Sequence, residues 1–174
     1  MPPGGAGRKE IFMFEENDIL VQSLACALKK RGLACASAES CTGGLVGAML
    51  TAVPGSSDWY LGGVISYANS VKTGLLHVRE EDLASVGAVS EPVVRAMALG
   101  ACAATGAGAA VATSGVAGPG GGSPEKPVGT VWIGWALGSE SRARLFHFPG
   151  SRDEVRVQAA RAAIEGLAAW LEEA

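Results

Sequence analysis

The sequence predicts a three-layer α/β/α sandwich on a mixed β-sheet, folded as a single domain. Strand-like apolar runs alternate with helix-like segments, and one adjacent pair, 128–137 and 142–148, reads as a hairpin around Gly138-Ser139-Glu140. Aromatic residues are scarce at 6% while 48% of residues are apolar, so the core must be built from small, closely packed side chains. Glycine fills 25 of 174 positions, about twice the usual ~7%, which suits tight turns between layers.

Asn17 or Asp18 can cap a first helix with Val21, Leu24, Ala25 and Leu28 on one face. Lys29, Lys30 and Arg31 complement its dipole and Gly32 ends it. Residues 33–38 read as a buried strand, and Glu39-Ser40-Cys41-Thr42-Gly43-Gly44 turns the chain into a small-residue helix at 45–50. A second strand is expected at 60–67, after the break at Pro54-Gly55-Ser56-Ser57, and then a short helix carrying Asn69, Lys72 and Leu75. Ser90 is a candidate N-cap, with Glu91 and Pro92 in the first turn of a helix reaching about Ala104. Residues 108–114 form a third strand and run into the glycine-rich loop 115–124. Both faces of 128–137 are mostly apolar, as a strand covered on both sides requires. Ser151 and Glu154 make a capping box for the last helix, whose apolar face is Val155, Ala159, Ala162, Leu167 and Trp170.

The charge sum, 14 basic minus 17 acidic residues, is −3, which argues against nucleic-acid binding, where clustered Lys and Arg must neutralise phosphates. No apolar run approaches the roughly 18 residues of a membrane helix. Residues 1–14 hold two prolines and three glycines before any apolar run and read as a flexible extension, with residues 15–174 as the folded domain. A cytoplasmic protein is expected. Cys26, Cys35, Cys41 and Cys102 include no C-x-x-C pair, so neither a metal site nor a disulfide framework is expected.

The glycine-rich loops invite familiar labels, and the spacings reject them. There is no G-x-x-x-x-G-K-[ST], and Val111 stands where a G-x-G-x-x-G from Gly106 needs its third glycine. G-x-S-x-G is absent, and Gly43 occupies the lysine position of an S-x-x-K starting at Ser40.

What remains is a constellation. Ser40 sits where a strand ends and a helix begins, a place that suits a nucleophile or an oxyanion site and equally suits an ordinary capping serine. A serine hydroxyl needs a base to take its proton. His77 and His147 lie in or beside apolar stretches and read as half-buried structural residues. Lys72 is the one formally charged side chain between Asp58 and Arg79, apart from a proton on His77, so no local carboxylate pairs with it. Burial could draw its pKa toward neutrality and make it a base; a solvated lysine is the alternative. Five of the nine residues 115–123 are glycine, so this loop could wrap a phosphate or ribose with backbone amides. Arg152 lies in the first turn of the last helix, where the dipole disfavours a cation. It belongs there if it binds an anion, or it is a surface arginine tolerating mild repulsion.

With these residues assembled, the sequence resembles the C-terminal domain of the CinA competence/damage-inducible proteins, the nicotinamide mononucleotide amidases. The matching segments are AESCTGGLVGAML (38–50), GGVISYANSVKTGLLHV (62–78), GAVSEPVV (87–94), SGVAGPGGGSPEKPVGTVWIG (114–134) and FPGSRDEVRVQA (148–159). The resemblance implies the α/β/α fold and deamidation of nicotinamide mononucleotide to nicotinate mononucleotide and ammonia. It makes Ser40 the nucleophile, assisted by Lys72 as base or proton relay and by Tyr67, which would pass or orient the proton. Backbone N–H groups at the helix start, Thr42 to Gly44, would hold the oxyanion. Cys41, Thr42, Gly43, Gly44, Asn69, Ser114, Gly115, Gly118, Gly120 and Arg152 would contact substrate. No metal or organic cofactor is implied, and a homodimer is expected. Ser114 departs from the family's usual threonine, keeping the hydroxyl and losing a methyl. Larger family members carry an N-terminal domain related to molybdopterin-binding proteins, and this chain is expected to be the stand-alone form. A non-catalytic nucleotide-binding module in a competence or DNA-damage assembly stays open as the alternative.

Overall fold

The computed structural model describes residues 18–174. The expected extension 1–14 and the candidate cap Asn17 lie outside these residues. Five strands, β1 (Cys35–Glu39), β2 (Tyr60–Ile65), β3 (Ala109–Gly115), β4 (Thr130–Leu137) and β5 (Glu140–His147), form one sheet in the order β2-β1-β3-β4-β5. β1 pairs in parallel with β2 and β3, while β4 runs antiparallel to both β3 and β5. The sheet is therefore mixed, with the predicted hairpin at its β4–β5 edge.

The helices are α1 (Ile19–Lys30), α2 (Leu45–Thr51), α3 (Asn69–Leu76), α4 (Glu80–Ser85), α5 (Glu91–Thr105) and α6 (Arg152–Glu173). On one face α1, α2 and α6 pack over Cys35, Val111, Ile133 and Trp135; α3 and α5 cover Ala36, Ala38, Ala110, Ala112 and Ala136 on the other. This is the α/β/α sandwich, with an alanine-rich face that lets helices come close. At Gly100 in α5 a Cβ would run into the backbone carbonyl of Leu76, so α3 and α5 touch main chain to main chain. That contact seats α3, and with it Lys72, against the sheet. The chain leaves β1 for β2 through α2 on one face and returns over β1 to β3 through α5 on the other, as right-handed crossovers in opposite directions require. The connections after β1 and β2 thus leave the same end of the sheet toward opposite faces, and the carboxyl ends of strands so arranged are where ligands of such folds bind.

Asp18 caps α1, its carboxylate accepting from Leu20 and Val21 N–H, and the Ser151–Glu154 box closes the start of α6. Such caps are worth about 0.5–2 kcal/mol each. Several boundaries differ from expectation. β1 starts at Cys35 because Leu33 N–H returns to Leu28 O and still belongs to the end of α1. β2 stops at Ile65, since Ser66 and Tyr67 lead into α3. Ser90 precedes α5 without capping it; its hydroxyl donates to Gly87 O. The short α4 was not anticipated, although Glu80, Glu81 and Asp82 mark its first turn. His77 and His147 are exposed rather than half-buried; His77 ends α3 in a left-handed conformation at φ 56°. Among the described residues no helix is long and apolar enough to cross a membrane.

Candidate active site

The site begins with strand register. Glu39 of β1 pairs with Ile65 of β2 and Thr113 of β3. One residue further, Ser40 N–H donates to Thr113 O at 3.0 Å and Ser66 N–H to Glu39 O at 2.8 Å. Ser66, Ser40 and Ser114 therefore stand in one row across the carboxyl ends of three parallel strands, all buried. Lys72, from the first turn of α3, reaches this row with its ammonium end. Its Nζ donates to Ser66 O at 2.6 Å, to Tyr67 O at 3.2 Å and to Ser40 Oγ at 3.2 Å. Lys72 is 1% exposed, and burial pushes its pKa below the ordinary lysine value. No carboxylate pairs with it among the described residues.

The turn after Ser40 is held tightly. Gly43 and Gly44 both adopt left-handed conformations, with φ 57° and 104°, which glycine reaches without Cβ strain. Gly43 N–H donates to Ser40 O, and Gly44 N–H donates to the Glu39 carboxylate. The helix-start amides of Gly43 and Gly44 are thus engaged within the protein, whereas the Thr42 N–H, the third of the expected oxyanion donors, has no backbone acceptor among the described residues. The Cys41 N–H, immediately after Ser40, has no backbone acceptor among the described residues. Its thiol is buried in the core with its pKa pushed up by burial to about 11, so it stays protonated near neutral pH. Any substrate contact by Cys41 would come from its main chain. Thr42 is fully buried, its hydroxyl bound between Glu39 and Thr113.

The rest of the expected set forms a looser rim. Arg152 Nη1 donates to Gly118 O at 2.7 Å, and its Nη2 lies 3.4 Å from Tyr67 Oη. Tyr67 is 64% exposed, and no hydrogen bond joins its hydroxyl to Ser40 or Lys72; its main-chain carbonyl makes the lysine contact instead. Gly115 ends β3 against Val131, and Gly120 lies exposed in the following loop. Asn69 opens α3, exposed, in the cleft between α3 and α4. The structure thus brings Ser40 and Ser114 into one row with Lys72 Nζ against it, Tyr67, Arg152 and Gly118 linked beside it, and Asn69 toward α4.

Three residues with a part in this arrangement were not singled out from sequence. Ser66 supplies the shortest contact to Lys72. Arg156, one turn beyond Arg152, donates to Cys41 O and Thr42 O and ties the turn to α6. Glu39 lies inside a wholly buried strand, and that burial of a carboxylate in an otherwise uncharged segment was the available signal. Among the described residues no group of three or more His, Cys, Asp or Glu could hold a metal ion.

Comparison with known proteins agrees with this architecture. The nicotinamide-nucleotide amidohydrolase PncC of Pseudomonas putida is 53% identical over 131 residues, 75% of this chain and 82% of that protein. Its namesake in Escherichia coli is 50% identical over 149 residues, covering 85% and 90%. A CinA-like protein of Akkermansia muciniphila is 49% identical over 149 residues, 85% of this chain but only 36% of the relative, so the chain spans about a third of that longer protein. A crystal structure of a CinA superfamily protein from Klebsiella pneumoniae superposes with TM-score 0.86 at 38% identity, covering 90% of this chain and 98% of that one. The CinA C-terminal domain profile matches residues 17–171, and the chain belongs to that family.

Proposed function

We propose that residues 15–174 form an amidohydrolase that converts nicotinamide mononucleotide and water to nicotinate mononucleotide and ammonia. The observation that carries this reading is the buried Lys72–Ser40 contact at 3.2 Å, in a relative of two amidohydrolases at about 50% identity. Lys72 in its neutral form has two N–H bonds to give and one lone pair. The carbonyls of Ser66 and Tyr67 take the two N–H bonds, which leaves the lone pair toward Ser40 Oγ. Burial favours that neutral form.

Ser40 Oγ then attacks the carboxamide carbon while its proton passes to Lys72 Nζ. The C–N bond breaks as Lys72 returns that proton to the departing NH2 group, releasing ammonia and leaving an ester on Ser40. Water attacks the ester, giving a proton to Lys72, and Ser40 Oγ leaves and regains it. The Cys41 N–H, the amide following the nucleophile, is the donor we assign to the oxyanion. Ser114 stands one strand from the nucleophile as a hydroxyl for the substrate. Arg152, Gly118 and the loop to Gly120 take the phosphate and ribose, and Tyr67 covers the passage between the two ends. Edge residues Leu61, Ile65 and Tyr67 are exposed along and just beyond β2 and would bury apolar surface in a homodimer.

The test is ammonia release from nicotinamide mononucleotide by the parent, Ser40→Ala and Lys72→Ala proteins. Turnover by the parent and a loss of at least ~10²-fold in both variants supports the covalent route. Near-normal turnover by Ser40→Ala overturns it. Nucleotide binding by the parent without ammonia release would make the protein a binding module.

A further inference from the structure

Next to the nucleophile lies a buried carboxylate to which the steps above assign no part. Glu39 is 2% exposed and its two oxygens meet five donors. Oε2 accepts from Thr42 Oγ1 at 2.7 Å, Gly44 N–H at 2.9 Å and Val46 N–H at 3.1 Å. Oε1 accepts from Gly47 N–H at 2.9 Å and Ser37 Oγ at 3.3 Å. Because the Thr42 hydroxyl gives its proton to Glu39, Thr113 Oγ1 must donate to Thr42, at 2.8 Å. The chain Thr113–Thr42–Glu39 therefore bolts the turn after Ser40 to β3 on one side and to the start of α2 on the other. Tyr60 Oη, 2.9 Å from Ser37 Oγ, backs the same cluster from β2.

This arrangement has two chemical consequences. The amides that would draw a substrate anion to α2 are occupied by the protein's own carboxylate, so the phosphate is directed away from the reacting end. The turn between Glu39 and Gly44 is also fixed from both ends, which holds Ser40 Oγ and the Cys41 N–H in a set relation. Donors aimed in advance at a developing oxyanion are worth most when they need not reorganise.

We propose that Glu39 is a positioning residue for amide hydrolysis, acting through Thr42 and the start of α2 to hold the nucleophile and the Cys41 amide in register. The inference rests on the amidase reading above. Glu39→Gln keeps the shape but places an NH2 group against at least one donor, whichever way it is turned.

The experiment measures ammonia release from nicotinamide mononucleotide and from its thiocarboxamide analogue, whose sulfur is a poor acceptor in an oxyanion site. The expected result for Glu39→Gln is a kcat about 10²-fold lower, KM within about threefold, and a carboxamide-over-thiocarboxamide preference much smaller than the parent's. Far-ultraviolet circular dichroism and thermal unfolding establish that the variant is folded. A kcat within about threefold of the parent, or a fall with the preference unchanged, overturns the inference. If Glu39→Gln does not fold, Thr42→Val and Thr42→Ser decide. Val should lower kcat about tenfold and shrink the preference, while Ser, which restores the hydroxyl, should recover both. Equal behaviour of the two variants overturns the inference. A parent that releases no ammonia removes the amidase reading itself, whereas an active parent with indifferent variants removes only the role of Glu39.

Discussion

The turn at residues 39–44 and the rim made by Tyr67, Arg152 and the 116–129 loop are joined through Lys72, yet they are built in opposite ways. In the turn the Ser40, Gly43 and Gly44 amides are paired, the Glu39 carboxylate takes five donors, and Arg156 holds two of the carbonyls. In the rim, one arginine bridges a loop carbonyl and a tyrosine that is mostly in solvent. Burial and hydrogen bonding fix a geometry at the price of adaptability, and bond-making chemistry needs the fixed kind. Holding a phosphate and ribose tolerates adjustment, because charge-assisted contacts reform as the ligand enters. The difference predicts that changes in the turn act on kcat and changes in the rim act on KM.

The largest effects test the fixed side. Ser40→Ala and Lys72→Ala should each reduce turnover by ~10² or more with the fold retained. The two should also fail to add, since nucleophile and base act as a unit. Loss of kcat in one variant and of KM in the other would break the division between turn and rim. Acidity gives a second reading of Lys72. Its folded pKa is depressed by burial, so the neutral, active form is lost as pH falls through that value and kcat should rise with pH. The unfolded chain binds the lysine proton more readily than the folded one. Between the depressed value and the ordinary lysine value, stability therefore rises with pH; it falls off as pH drops through the folded pKa. Thermal unfolding across neutral to alkaline pH should show this slope in the parent and a flatter one in Lys72→Met. Equal slopes would place the lysine in a solvated setting.

Legibility from sequence followed the same division. The layers, the mixed sheet, the hairpin and the capping box of α6 could be read because they rest on local periodicity and cap chemistry. Ser40 stood out at its strand–helix junction, and Lys72 as a cation without a nearby carboxylate. Their meeting at 3.2 Å depends on β1 and α3 being brought together by parallel pairing and by the bare surface of Gly100, which no local pattern encodes. The role of Glu39 was hidden for a related reason. Its donors come from residues 37 to 47 wrapped around it, so the next helix start appeared free when it was already occupied. Ser66 was similarly obscured, because it acts through a carbonyl that any residue type possesses.

An intermediate effect tests the adaptable side. Arg152→Ala should raise KM for nicotinamide mononucleotide about 10–100-fold, the range for losing charge-assisted hydrogen bonds of ~1.5–3 kcal/mol, with kcat within about threefold. Nicotinamide riboside, which lacks the phosphate, supplies the sharper version. With that substrate the parent and the variant should be nearly indistinguishable in steady-state kinetics. A large loss on the riboside as well would show that the arginine acts on the Tyr67 side of the site rather than on the phosphate.

The smallest expected effect falls where the two regions meet. Tyr67 contributes to the fixed side through its carbonyl, which holds Lys72, and to the rim through a hydroxyl 3.4 Å from Arg152. Tyr67→Phe removes only the hydroxyl, leaving the main chain, the ring and the lysine contact in place. If proton transfer runs directly between Ser40 and Lys72, the variant should keep kcat within about tenfold of the parent, with a KM change of similar size through Arg152. If the phenol carries the proton, the loss should instead reach the ~10²-fold typical of a missing acid–base group, and the pH profile should change shape. Measuring kcat and KM for this one variant across pH decides on which side of the boundary the tyrosine hydroxyl belongs. The contacts favour the rim, because a hydroxyl already paired with a guanidinium and open to water is poorly placed to exchange a proton with a lysine buried behind its own carbonyl.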